Sequence, residues 1–161
     1  MAALHFICGK AGAGKTTRAR TLGLALPAVV FCEDEWITRL GFEVRSLEDF
    51  LTASTRCRAV IGPLAIDLLR LGISVVFDFA GNTPKSRHWV RGLFEQAGAD
   101  HVLHVIELSD EACLANIHRR NDERPSGVFW GPVSDEMFHA VTAYFEPPQP
   151  EEGFHIVRQV S

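Results

Sequence analysis

The sequence contains no apolar run approaching the roughly 18 residues that a membrane-crossing helix needs. Its first residues, Met1 to Cys8, have neither the basic start nor the cleavage site of a secretory signal. The four cysteines form no CxxC pair, which argues against a zinc site or a disulfide framework. We therefore expect a cytoplasmic protein with reduced, mostly buried thiols and no membrane partner.

Positive charge is also scarce, with 16 Lys and Arg against 20 Asp and Glu and a formal net charge of −4. Affinity for long nucleic acid rests on many cationic side chains that neutralise phosphates. The sequence has no basic stripe of that kind, so a small-molecule partner is favoured over DNA or RNA. A local cluster of Arg119, Arg120 and Arg124 keeps nucleic acid open as an alternative.

Internal repeats and low-complexity segments are absent, and the 161 residues fit one domain spanning 1–161. The hydrophobic content of 47% and charged content of 22% are ordinary for a globular chain that buries a core. Nothing in the sequence indicates an oligomeric state.

Apolar runs of strand length alternate with longer segments of helical spacing, which predicts parallel βαβ units. The runs are Leu4 to Cys8, Ala28 to Cys32, Ser74 to Phe79, Val102 to Leu108 and Phe154 to Val157. Helix starts are marked by Ser46, Thr83, Ser109 and Ser134, hydroxyl residues suited to the N-cap. We expect a three-layer α/β/α sandwich with a five-stranded parallel sheet and about five helices.

A glycine-rich segment directly after the first strand matches GxxxxGK[ST] at every fixed position. Its residues, with the threonine that follows, are Gly9, Lys10, Ala11, Gly12, Ala13, Gly14, Lys15, Thr16 and Thr17. The glycines let backbone N–H groups approach phosphate oxygens at a helix N-terminus. This pattern predicts a P-loop that binds a nucleoside triphosphate.

Within that loop, we expect Lys15 to reach the β and γ phosphates and Thr16 to place its hydroxyl on Mg²⁺. Thr17 is positioned for the α phosphate. Lys10 is either solvated or a further contact to phosphate or to the second substrate.

Acidic residues follow two of the strands, at the sheet edge where ligands collect in open α/β folds. Glu33, Asp34 and Glu35 follow the second strand, and any of them could take a proton from an acceptor hydroxyl or cap the next helix. Asp78 ends a hydrophobic run in the manner of a Walker B aspartate, which holds the metal, although a turn role fits too. Asn82 could support Asp78, contact the acceptor or shape the turn.

A polar, arginine-rich segment at about residues 119–132 predicts a lid. An arginine delivered by a closing segment stabilises the charge of a transferring phosphoryl group. Arg124 is the candidate for that role and Arg120 for a phosphate or adenine clamp, with an ordinary exposed cluster as the alternative. Arg87 and Arg91 lie on one helix face and could bind an anionic acceptor or form surface salt bridges.

Four segments together resemble small P-loop kinases of the AAA-33 and zeta toxin-like group, related to polynucleotide 5′-kinase and chloramphenicol phosphotransferase. The segments are FICGKAGAGKTT, FCEDEWI, VVFDFAGNT and RRNDERP, and the likeness spans nearly the whole chain. The resemblance assigns the catalytic base to Asp34 and the lid arginines to Arg120 and Arg124. Ala80 and Gly81 depart from the DxTN pattern of the polynucleotide kinases.

The resemblance implies an ATP-dependent kinase with sheet order 2-3-1-4-5, and no guanine-reading NKxD is present. Its cofactors would be ATP and Mg²⁺, with Lys15, Asp34, Arg120 and Arg124 as catalytic residues and Thr16 and Asp78 at the metal. The acceptor would be a hydroxyl of a small molecule. A polynucleotide or nucleoside 5′-hydroxyl kinase and an ATP-gated regulatory protein are the alternatives.

Overall fold

Five strands and six α-helices form the fold of residues 1–160, the part of the chain that the computed structural model describes. The strands are β1 (Ala3–Cys8), β2 (Ala28–Cys32), β3 (Ser74–Asp78), β4 (Asp100–Glu107) and β5 (Ile156–Val160). The helices are α1 (Lys15–Ala25), α2 (Glu33–Arg39), α3 (Leu47–Arg70), α4 (Pro84–Ala97), α5 (Asp110–Glu123) and α6 (Asp135–Thr142), with a 3₁₀ turn at Pro150–Glu152.

All neighbouring strands pair in parallel, in the order β2-β3-β1-β4-β5. Phe6 of β1 and Phe31 of β2 lie on either side of Phe77, because β3 is between these two strands. The predicted strand order is therefore confirmed. It brings the ends of β1, β2 and β3, which precede the predicted site residues, to one edge of the sheet.

Side chains that alternate along the strands supply two separate cores, one on each face of the sheet. Phe6 and Phe77 pack with Ile61 of α3 and Val90 of α4 on one face. Ile7 and Val76 share the other face with buried side chains of α1 and α5. These two cores give the predicted three layers.

Each of the four predicted N-cap residues begins a helix, because its hydroxyl accepts a backbone N–H of the first turn. Ser46, Ser109 and Ser134 accept from residues three positions later, and Thr83 forms a reciprocal capping box with Ser86. In residues 1–160, no helix is both long enough and apolar enough to cross a membrane.

The last two strands differ most from the prediction. β4 begins at Asp100, two residues earlier than expected, and β5 runs from Ile156 to Val160 rather than over 154–157. Phe154 lies outside β5, and its ring packs edge-on against Phe94 and His101. The apolar side chain of Phe154 thus belongs to an aromatic cluster and not to a paired strand.

Candidate active site

The glycine-rich loop links β1 to α1 in a conformation that leaves the helix N-terminus available. Gly12 and Gly14 have φ angles of 75° and 94°, and Gly14 is the N-cap of α1. No side chain within residues 1–160 caps that terminus, so its N–H groups can bind an anion. A Cβ on Gly12 would lie 2.4 Å from the Cys113 carbonyl oxygen, so the loop packs tightly on α5.

The two lysines of the loop are held by different partners. Lys15 Nζ donates to the carbonyl oxygens of Gly9 and Lys10, at 3.0 and 2.9 Å. Lys10 Nζ pairs with Asp110 Oδ1 of α5 at 2.5 Å. Lys10 thus joins the loop to α5, whereas Lys15 lines the cavity described below.

Two oxygen ligands suitable for Mg²⁺ meet where the loop faces β3. Thr16 Oγ1 donates to Asp78 Oδ2 over 2.6 Å, and the Cys32 thiol donates to the same carboxylate oxygen at 3.3 Å. Mg²⁺ is usually bound by one or two protein oxygens together with phosphates and waters. Thr16 and Asp78 fit that coordination pattern. Burial and the neighbouring Asp78 charge raise the pKa of Cys32 to about 12, so the thiol stays protonated.

The three consecutive acids do not precede α2 but lie in its first turn, since this helix begins at Glu33. Glu35 pairs with Arg39 of the same helix. Asp34 instead accepts two hydrogen bonds, one from α5 and one from the segment that follows α5. Arg120 Nη2 lies 3.0 Å from its Oδ2, and Trp130 Nε1 lies 2.9 Å from its Oδ1.

Glu33 belongs to a different, buried cluster. Its side chain accepts from the Ser54 hydroxyl and from the Ala80 backbone N–H. Arg58 Nε lies 3.5 Å from Glu33 Oε1. Burial raises the pKa of Glu33, and the Arg58 charge opposes that shift. The consecutive acids Glu33 and Asp34 therefore have separate partners and separate environments.

The predicted lid divides between a helix and an irregular segment. α5 continues to Glu123, so Arg119 and Arg120 are helical, and Arg120 also donates to the Val128 carbonyl at 2.7 Å. Arg124 caps the helix with φ 45° and is exposed, and it does not line the cavity within the described residues. The irregular part runs from Arg124 to Ser134.

A single cavity of about 1290 Å³ connects these groups. One end is formed by the glycine-rich loop, Asn116 and Arg120. The other end is formed by side chains of α3 and α4, with Asp34 and Trp130 also lining the cavity. Small-molecule pockets usually measure about 300 to 1,000 Å³, so this cavity has room for two ligands side by side.

Arg87 does not reach this cavity. It is fully buried and forms a bidentate ion pair with Glu152, at 2.6 and 2.8 Å, while its Nη1 donates to the Gly81 carbonyl. Arg91 pairs with Glu95 and donates to the Glu152 carbonyl. Neither arginine lines the cavity within the described residues, and both take part in ion pairs. The ion-pairing alternative holds, although for Arg87 the pair is internal.

Sequence reasoning missed Trp130, Ser54 and Arg58, all of which line the cavity. The only available signal for Trp130 was an aromatic residue inside the predicted lid, about residues 119–132. Asn82 also lines the cavity, and its buried Oδ1 has no hydrogen-bond partner within the described chain. Its backbone carbonyl accepts from Glu146 N–H.

Comparison with known proteins places the chain in a family. Residues 4–148 match the family model of an AAA domain, AAA-33. No curated protein sequence matches the chain significantly.

Several solved structures share the fold. A candidate kinase from Chloroflexus aurantiacus J-10-fl has a TM-score of 0.79 at 17% identity, covering 99% of this chain and 85% of that chain. Chaetomium thermophilum Kti12, in complex with ADP-AlF3, has a TM-score of 0.71 at 18% identity, covering 96% of this chain and 88% of that chain. The Mycobacterium tuberculosis APS kinase CysC, in complex with AMPPNP and APS, has a TM-score of 0.62 at 20% identity, covering 99% of this chain and 88% of that chain.

Proposed function

Because the chain belongs to the AAA domain family AAA-33, as its motifs predicted, we propose that it transfers the γ-phosphoryl group of ATP to a hydroxyl group of a small molecule. The observation that carries this proposal is the position of Asp34. Its carboxylate faces the same cavity as the phosphate-binding loop, beside Arg120. A phosphotransferase needs a carboxylate that orients the acceptor close to the bound donor.

On the donor side, the loop N–H groups and Lys15 would bind the phosphates. Lys15 now donates to two loop carbonyls, and phosphate oxygens would replace them as the better acceptors of a cationic donor. Mg²⁺ would be held by Thr16 and Asp78 and would neutralise charge on the donor. The remaining loop residues, from Gly9 through Thr17, position the donor.

On the acceptor side, Asp34 would accept the hydroxyl proton as the acceptor oxygen attacks the γ-phosphorus and the bond to ADP breaks. Arg120 keeps Asp34 Oδ2 in place. A nearby arginine can also stabilise charge on the transferring group. Arg124 would take part in that only after the segment following α5 moves, because its side chain is exposed.

The test is ATP consumption measured across a library of nucleosides, sugars, antibiotics and oligonucleotides, with Lys15→Ala as the blank. Asp34→Asn should retain ATP affinity and lose about 100-fold or more of the transfer rate, the usual loss on removing a general base. Glu35→Gln is the matched control, since Glu35 pairs with Arg39 outside the cavity. Full transfer by Asp34→Asn would disprove the assignment of the base.

An ATP-gated regulatory protein is the second candidate, and one contact favours it. Both Asp34 oxygens accept hydrogen bonds from α5 and the segment after it. Asp34 would therefore hold that segment in place even if no phosphoryl group were transferred. In that case no acceptor would stimulate ATP turnover, and a partner would bind only with ATP present. A nucleic acid 5′-hydroxyl kinase would instead show steeply salt-dependent oligonucleotide binding.

A further inference from the structure

The cavity is much more positive than the protein that contains it. Six cationic side chains and three carboxylates line it, an excess of three positive charges, whereas the whole chain has a net charge of −4. The cations are Lys15, Arg20, Arg58, Lys85, Arg119 and Arg120. Four of them come from α1 and α5, the helices nearest the phosphate-binding loop. Arg58 of α3 and Lys85 of α4 lie on the other side.

Arg58 is held rigidly by its surroundings. The guanidinium carbon lies 4.8 Å from the Trp89 ring centroid and 5.6 Å from that of Phe79, so aromatic rings cover the group. Nη2 donates to the Ala80 carbonyl at 3.0 Å. The side chain is 17% exposed, which limits its motion and strengthens its electrostatic interactions.

One edge of this guanidinium is left for a ligand. Nη2 is bound to Ala80, and Nε, which is buried and makes no hydrogen bond within the described chain, lies 3.5 Å from Glu33 Oε1. Within residues 1–160, Nη1 has no hydrogen-bond partner. Unlike Nε, it is not fully buried. Glu33 is itself satisfied by Ser54 and Ala80. A cation fixed in a cavity with a donor to spare is suited to an anionic oxygen.

We propose that Arg58 determines acceptor specificity by binding an anionic group of the acceptor, a carboxylate or a phosphate ester, through Nη1. The group bound by Arg58 is separate from the hydroxyl that is phosphorylated. Lys85, which lines the same end and has no ion pair in the described chain, adds to the positive potential. This inference rests on the proposed kinase function, since it names the substrate class of that site.

The experiment compares hydroxyl compounds that differ only by an anionic group. Suitable pairs are gluconate and glucitol, glycerate and glycerol, and a nucleoside 3′-monophosphate and its nucleoside. Binding to the complex with AMPPNP is measured by calorimetry, and transfer from ATP is measured separately. The variants are Arg58→Gln, Arg58→Lys and the control Arg56→Gln. Arg56 lies on the same helix, is exposed and contacts Phe42 outside the cavity.

The anionic member of at least one pair should bind and react better than the neutral one. Arg58→Gln should raise the KM for that acceptor by about ten- to hundredfold, the value of one charge-assisted hydrogen bond. It should leave the KM for ATP unchanged and remove the preference for the anion. Arg58→Lys should recover part of that preference because it keeps the charge, and Arg56→Gln should behave like the wild type.

Other outcomes separate this inference from the kinase proposal. Equal use of charged and neutral acceptors by the wild type would overturn the role of Arg58 and leave the kinase function standing. A raised KM for ATP in Arg58→Gln would also overturn it, since Arg58 would then serve the donor. Arg58-dependent binding of the anions without any transfer would support the anion site and reject the kinase function.

Discussion

The indole N–H of Trp130 donates to Asp34 Oδ1 across 2.9 Å, on the opposite oxygen from Arg120. An acceptor hydroxyl that gives its proton to Asp34 needs one of these two positions. Arg120 belongs to α5 and also holds the Val128 carbonyl, whereas Trp130 lies in the irregular segment. Trp130 is therefore the partner that an acceptor would displace.

Trp130→Phe should raise ATP hydrolysis in the absence of acceptor, because water can then reach Asp34 Oδ1. We expect about a fivefold increase, corresponding to roughly 1 kcal/mol for one hydrogen bond. Release of ADP is measured without acceptor. Trp36→Phe is the control, since Trp36 packs near Phe31 and does not line the cavity. Unchanged hydrolysis would show that Trp130 does not shield the carboxylate.

Asp78→Asn should lower the affinity of the site for Mg²⁺. Removing the charge beside Thr16, 2.6 Å away, takes away an anionic ligand of a hard cation. The Mg²⁺ concentration for half-maximal turnover should increase about tenfold, by analogy with the loss of a charged hydrogen-bonding partner. Asp67→Asn on the exposed face of α3 serves as the control. A Mg²⁺ titration that superimposes on the wild type would exclude Asp78 from the metal.

The His5 and His104 pair should make the fold sensitive to mild acid. His5 Nδ1 lies 3.1 Å from His104 Nε2, and His104 is 5% exposed. Burial, then the charges of His5 and Arg18, lowers the pKa of His104 to about 4. Because the unfolded chain binds the proton more readily, stability is complete above about pH 6.5 and falls toward pH 4.

That loss should approach roughly 3 kcal/mol in the free energy of unfolding between these two pH values. Urea unfolding at several pH values measures it. His104→Gln should flatten the dependence even if it lowers stability at neutral pH, whereas His88→Gln on the exposed side of α4 should not. An equally steep dependence in His104→Gln would assign the effect to other groups.

Glu152→Gln should destabilise the fold strongly. Arg87 is fully buried, and the substitution leaves its charge without a counterion. Although burial alone would raise it, the hydrogen bonds from Arg87 and Gln149 lower the pKa of Glu152. We expect a loss of about 3 kcal/mol or more in the free energy of unfolding. Glu151→Gln, one residue earlier and exposed, is the comparison; similar stability in both variants would contradict this role.

Local sequence predicted the glycine-rich loop and the helix that follows it. The glycine spacing and the strand before it predicted the loop, and the resemblance predicted the sheet order. These features depend on short segments and on the order of strands. The four N-caps were predictable for the same reason, since each hydroxyl bonds three residues away.

The features that the sequence did not predict depend on contacts between residues that are far apart along the chain. Arg87 looked like a surface residue because its counterion lies 65 positions later. Arg58 sits within a long amphipathic helix, and only the packing of α3 on Trp89 determines that it lines the cavity. No local pattern distinguishes such an arginine from its exposed neighbour Arg56.

The distance along the chain between Arg87 and Glu152 has a consequence for biosynthesis. While the ribosome is still adding the residues after α4, Arg87 has no counterion, and a buried lone charge is strongly unfavourable. Helix α4 therefore cannot settle on the sheet until residue 152 has emerged. The first four strands can collapse during translation, but the native packing of α4 waits for the end of the domain.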